Sequence, residues 1–131
     1  MITFSIRTLW EGDAVIKKMT AATYTTLNHA AASIRLIARR SIKRGKSASS
    51  PGTPPNTRRG RLTDAIRYSV DKSKRVALVG PTESVVGEAG AAHEFGGYFR
   101  GTNYPKRPFM GPALAQAAPR LPETWAASLK H

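Results

Sequence analysis

The chain opens with a period of two. Ile2, Phe4 and Ile6 alternate with Thr3, Ser5 and Arg7, the pattern of a half-buried strand. Gly12 and Asp13 interrupt it, and Asp13 suits a helix N-cap. From Ala14 to about Arg44 there is neither glycine nor proline. Ile16, Met19, Thr23, Leu27, Ala30, Ile34, Ile37 and Ser41 recur there at steps of three and four, one helical stripe, with Lys18, Thr25, Arg35, Arg39 and Lys43 opposite. An unbroken helix of that span would run about 45 Å at ~1.5 Å per residue. Thr20, Thr23, Thr25 and Thr26 crowd its middle. Branched side chains lose rotamer freedom in a helix, so a bend or break is expected at this point if anywhere.

Gly45–Gly60 is rich in Ser, Pro and Gly, a composition too poor in apolar groups to order itself, and it reads as a flexible basic loop. Loops of this length inside a small domain are usually functional or ordered by a partner. Beyond it, Leu62–Ile66 suits one helical turn. Arg67–Asp71 and Arg75–Val79 read as two strands joined through Lys72-Ser-Lys, with Gly80-Pro81 closing the second. Ser84–Gly87 is a weak strand or loop, and Ala89–Phe95 a short helix. Gly96–Pro108 is an excursion containing glycine and aromatic residues. Phe109–Ala118 reads as a helix with Pro108 tolerated at its first turn, and Glu123–Leu129 as a last short helix or tail. A strand, a long basic helix and a small antiparallel sheet flanked by short C-terminal helices make an α+β fold, one domain over residues 1–131.

Composition adds two facts. The chain has no cysteine, which removes disulfides, thiolate metal sites and cysteine nucleophiles. Its net charge is +13 with a pI near 11.0, so it needs a polyanionic partner or carries a positive assembly surface. Arg35, Arg39, Arg40, Lys43, Arg44, Lys46, Arg58, Arg59 and Arg61 fall in one stretch with no acid among them. No aromatic residue interleaves, which disfavours base stacking on a single strand; phosphate contact here would be independent of sequence. A solvated face and an acidic protein neighbour are the other readings of the same charge. Met1–Gly12 lacks the basic start and long apolar run of a secretory leader, and no stretch approaches a membrane span. Synthesis in the cytoplasm, without a membrane, is expected.

From Gly60 the residues resemble a known family. Gly60-Arg-Leu-Thr-Asp-Ala-Ile, Val79-Gly-Pro, Ala92-His-Glu-Phe-Gly-Gly and Arg107-Pro-Phe-Met-Gly-Pro-Ala-Leu follow in that order. They are similar to the siphophage tail-completion family, the gene-product-ten type of head–tail joining (neck) protein. The matching positions are Gly60, Leu62, Ile66, Gly80, Glu94, Phe95, Gly96, Arg107, Pro108, Phe109, Pro112 and Leu114. The likeness covers roughly Gly60 to Leu114, and its closing box is the specific part. It departs at Ala91-Ala92, where relatives commonly have Tyr-Ala, and at Gly97, where Thr is common. It implies a virion protein that oligomerises into a ring, a hexamer by preference and a dodecamer as the alternative. The ring would join the tail tube to the portal-side connector around the DNA channel, with non-specific contact to transiting DNA as a further role.

Catalysis is not expected. Glu11, Asp13, Asp64, Asp71, Glu83, Glu88, Glu94 and Glu123 are scattered without metal-site spacing, and no phosphate-binding glycine pattern follows a strand. His93 beside Glu94 is the one acid–base or metal candidate, weakened because neighbours on a helix or strand point apart. No metal or cofactor is therefore expected. Glu94 reads instead as a structural carboxylate that pins the Gly96–Lys106 loop onto the Arg107 box, with Arg107 or loop N–H groups as partners. Arg39, Arg40, Lys43, Arg44, Lys46, Arg58, Arg59 and Arg61 are the candidate interface or DNA-contact residues. The alternative to a ring subunit is a small basic protein that binds nucleic acid without sequence preference.

Overall fold

The long apolar stripe organises everything else. A computed structural model describes residues 2–5 and 13–128. Ile6, Arg7, Gly12, Leu129 and His131 lie outside the described residues, as do the side chains of Phe4, Asp13, Ile16 and Met19. Helix α1 spans Asp13–Ser41, 29 residues or about 43 Å. It passes through its threonines without a break. Thr23 and Thr26 are buried, and the Trp125 indole N–H donates to Thr23 Oγ1 at 3.1 Å, so packing outweighs their weak propensity. The buried stripe is wider than expected, taking in Ala22, Thr26, Ala31 and Ala38 besides Thr23, Leu27, Ala30 and Ile34. The reason is that α1 is covered from two sides, by a sheet and by the C-terminal helices.

That sheet has strand β1 (Ile2–Ser5) at one edge, β5 (Val76–Pro81) in the centre and β4 (Ile66–Asp71) at the other edge, all antiparallel. The register sets Ile2 opposite Val79, and Val79 opposite Tyr68. Because side chains alternate across a strand, Ile66, Ala77 and Val79 enter the core under α1, while Arg67, Ser69 and Leu78 face outward and are exposed. The β4–β5 turn is closed by Asp71 Oδ1, which accepts from Ser73 Oγ at 2.7 Å and the Lys74 N–H at 3.0 Å. Arg75 belongs to this turn rather than to the strand, with φ 55.

α1 stops at Ser41, short of the expected Arg44. Ile42 turns into the core, and Lys43–Arg44 become strand β2, paired in parallel with β3 (Asn56–Thr57). Gly45–Gly60, expected to be a flexible loop, is joined to the rest of the chain at several points. The Gly45 N–H donates to Thr57 O at 3.2 Å and the Gly52 N–H to Lys106 O at 2.7 Å, and Pro55 is buried. These contacts use backbone groups separated in the chain, which composition does not reveal.

Helix α2 (Arg61–Ala65) precedes β4. Gly60 leads into it at φ 77, a left-handed conformation costly for any residue with a Cβ. Ser84–Gly87, expected as weak strand or loop, is a single helical turn, α3 (Glu83–Val86). The Thr82 carbonyl accepts from the N–H groups of Val85 and Val86, while Thr82 N–H and Oγ1 both donate to Ala65 O. Helix α4 (Ala89–Phe95) is followed by a hairpin unforeseen in the sequence, β6 (Gly97–Phe99) and β7 (Thr102–Tyr104). Its two-residue loop, Arg100-Gly101, has positive φ at both positions, as tight hairpin turns require. Helix α5 (Met110–Ala117) and helix α6 (Leu121–Ser128) close the far side of α1. Among the described residues no helix is long and apolar enough to cross a membrane.

Phe109 is fully buried and is the largest such side chain, between α1 and the start of α5. Phe109→Ala should cost roughly 3–5 kcal/mol as a core cavity, read as a lower urea midpoint. An unchanged midpoint would remove Phe109 from the core.

Candidate functional site: a carboxylate clamp and a basic cleft

The first turn of a helix leaves backbone N–H groups without acceptors. At α5 one carboxylate meets them. Glu94 Oε2 accepts from the N–H groups of Phe109 and Met110, each at 2.9 Å, and Oε1 from that of Gly111 at 2.8 Å. The next residue, Pro112, has no N–H to satisfy. Negative charge is also favoured at this end of the helix dipole. A Cβ on Gly111 would lie 3.0 Å from Glu94 Oε1, so the small residue makes room for the carboxylate. Glu94 thus holds the Arg107–Leu114 box directly, rather than through Arg107 or the loop N–H groups proposed from the sequence. Arg107 serves elsewhere: its Nε donates to Ser49 O at 2.9 Å and its N–H to His93 O at 2.7 Å.

The other positions of the resemblance are divided between the core and the surface. Leu62, Ile66, Gly80 and Phe109 are buried, while Pro108 and Leu114 are half-buried. Gly96 sits at φ 67, where a Cβ would come within 3.0 Å of Tyr104 O and of Lys106 Cγ; only glycine lets the hairpin fold back this closely. Pro112 is exposed, and so is Phe95. Phe95 is 64% exposed, and Tyr98 on the hairpin is 79% exposed, so two aromatic side chains face solvent beside a well-anchored box.

His93 and Glu94 do not form an acid–base pair. Both Glu94 oxygens are taken by backbone N–H groups, and His93 Nδ1 is buried without a partner. Among the described residues no group of three or more His, Cys, Asp or Glu is placed to hold a metal ion.

The basic residues separate into distinct groups. Arg39 pairs with Asp64 at 3.5 Å, and Arg35, expected on the exposed face, is half-buried with its Nε donating to Ile66 O at 2.9 Å. Arg40, Lys43 and Arg59 are exposed. The β2–β3 pair brings Arg44 and Lys46 beside Arg58 around one open depression. Arg58 also borders a second, with Arg61, His93 and Arg100. No acidic residue lines either one. Arg58 is held by its Nε on Lys46 O at 3.1 Å, and Arg61 by a terminal nitrogen on Val85 O at 3.3 Å. Sequence reasoning missed Arg100 here. The only signal available was an Arg-Gly pair between aromatic residues, which reads as a turn and says nothing of where the turn packs.

No protein-family model matches this chain, and no curated protein or solved structure matches it either.

Glu94→Ala strands three backbone N–H groups and should cost about 2–3 kcal/mol in chemical unfolding, as for hydrogen bonds to a charged group. Glu94→Gln should cost less, since its amide oxygen still accepts. A wild-type midpoint for Glu94→Ala would show the clamp to be incidental. Burial, and then the positive charge of Arg107, holds the His93 imidazole below its usual 6.5. The unfolded chain therefore takes up a proton that the folded chain refuses, and stability falls as pH drops below that value. His93→Gln should flatten the stability profile between about pH 7 and about pH 5, measured by thermal unfolding against pH.

Proposed function

We propose that this protein is a non-enzymatic structural subunit of a tailed-phage virion or prophage particle. It forms a ring at the head–tail junction and joins the tail to the portal-side connector. The observation that carries the reading is the Glu94 clamp. It fastens the Ala92–Gly97 segment to the Arg107–Leu114 box, so two pieces of the family likeness act as one rigid unit.

A ring gives the exposed aromatics a use. Phe95 within the clamped unit and Tyr98 beside it face solvent, and burying a Phe side chain is worth about 1.5–3 kcal/mol. A closed ring repeats that gain at every subunit contact, which suits a chain too small to cover all its apolar surface alone. The hexamer is the preferred state and the dodecamer the alternative. The neighbours are connector and tail-tube proteins. A monomeric, sequence-independent nucleic-acid-binding protein is the second reading, favoured by the +13 charge.

Native mass spectrometry and electron-microscopic class averages of the purified chain test the proposal. A closed ring is expected for the wild type. Phe95→Ser/Tyr98→Ser should yield folded monomers with an unchanged circular dichroism spectrum. A wild type that stays monomeric at high concentration, alone and with its neighbouring virion proteins, would overturn the ring.

A further inference from the structure

The basic residues of the cleft are exposed, yet three of them are tethered by contacts of their own. Its two depressions share Arg58. Backbone carbonyls hold both Arg58 and Arg61, and the Arg100 guanidinium lies 5.3 Å from the Phe99 ring centroid. Guanidinium groups fixed in this way have already lost part of the entropy that binding would cost. With Nε of Arg58 engaged, the terminal nitrogens of its fork can meet a tetrahedral oxyanion. His93 Nδ1, buried without a partner, borders the same cleft.

We propose that this cleft binds the phosphate backbone of a nucleic-acid duplex without reading its sequence, using Arg44, Lys46, Arg58, Arg61 and Arg100. Two observations favour phosphate over an acidic protein face. Protein interfaces have an apolar, aromatic-rich centre depleted of Lys, yet none of the exposed large apolar side chains, Phe95 and Tyr98 included, lines either depression. Nor does any Phe, Tyr or Trp ring line them, so there is no large platform for unstacked bases. Asp64 is paired with Arg39, which lessens its competition for the cleft. The inference stands apart from ring assembly, since it concerns a surface of the single subunit and can fail while the ring survives.

The test is fluorescence anisotropy with a short labelled DNA duplex over a salt series, using the chain in whatever oligomer it forms. Affinity should fall linearly with salt on a logarithmic scale, and Arg58→Gln should flatten the slope by about 0.9. Arg61→Gln and Arg100→Asn should each weaken binding several-fold, and Arg58→Lys should keep the salt slope while losing affinity. Lys17→Gln/Lys18→Gln, which removes charge from the other end of α1, should change little. Without any substitution, the His93 ring signals in the NMR spectrum should move on adding duplex while those of His29 stay. Equal losses from the distal lysine variant and the cleft variants would overturn the site in favour of diffuse charge. Polyglutamate that displaces the duplex and binds more tightly would overturn it in favour of an acidic protein partner. Unmoved His93 signals at saturating duplex would overturn it outright.

Discussion

Three backbone N–H groups converge on the Glu94 carboxylate, and much of the C-terminal half depends on that convergence. Without it α5 would begin with bare donors next to a buried phenyl ring, a costly combination away from water. With it, the helix start is fixed to α4, Phe109 is fixed in the core, and the chain between them is forced into a short excursion. The β6–β7 hairpin is that excursion. A two-stranded hairpin is marginal alone in water, but this one is rooted at both ends by the same clamp.

The sequence carried the fold where local pattern and tertiary packing agree. The α1 stripe, the β4–β5 hairpin, and helices α4 and α5 were all legible because each has a period, a turn or a breaker at the right place. The reading failed where order comes from distant groups. Nothing in Lys43–Arg44 says strand until Asn56–Thr57 lies alongside. Nothing in Ser84–Gly87 says helix until Thr82 is tied to Ala65. In the Gly45–Gly60 segment composition says loop, and nothing in it announces that the Lys46 and Ser49 carbonyls accept from Arg58 and Arg107 or that the Gly52 N–H donates to the Lys106 carbonyl.

The candidate surfaces show the same division. Charge density between Arg35 and Arg61 was visible at once, but its partition was not. Arg35 and Arg39 serve the fold and Asp64, whereas Arg44, Lys46, Arg58 and Arg61 gather because a parallel strand pair folds one basic stretch against the other. Arg100 reaches them from a hairpin that no periodicity announced. Glu94 was recognisable as a structural carboxylate because it directly precedes Phe95-Gly96-Gly97 in a basic half. Its true partners were not, since backbone donors leave no mark in a sequence.

The first strand has a bearing on how the chain reaches this state. β1 pairs only with β5, and its register joins Ile2 to Val79. The helix, the β4–β5 hairpin and the clamp all close over shorter stretches of chain, and shorter loops close at lower entropic cost. The N-terminal strand therefore docks only after β5 and its hairpin with β4 have formed. Until it docks, one edge of the central strand keeps unsatisfied ladder groups, the interval in which a nascent chain is most open to pairing with the wrong neighbour.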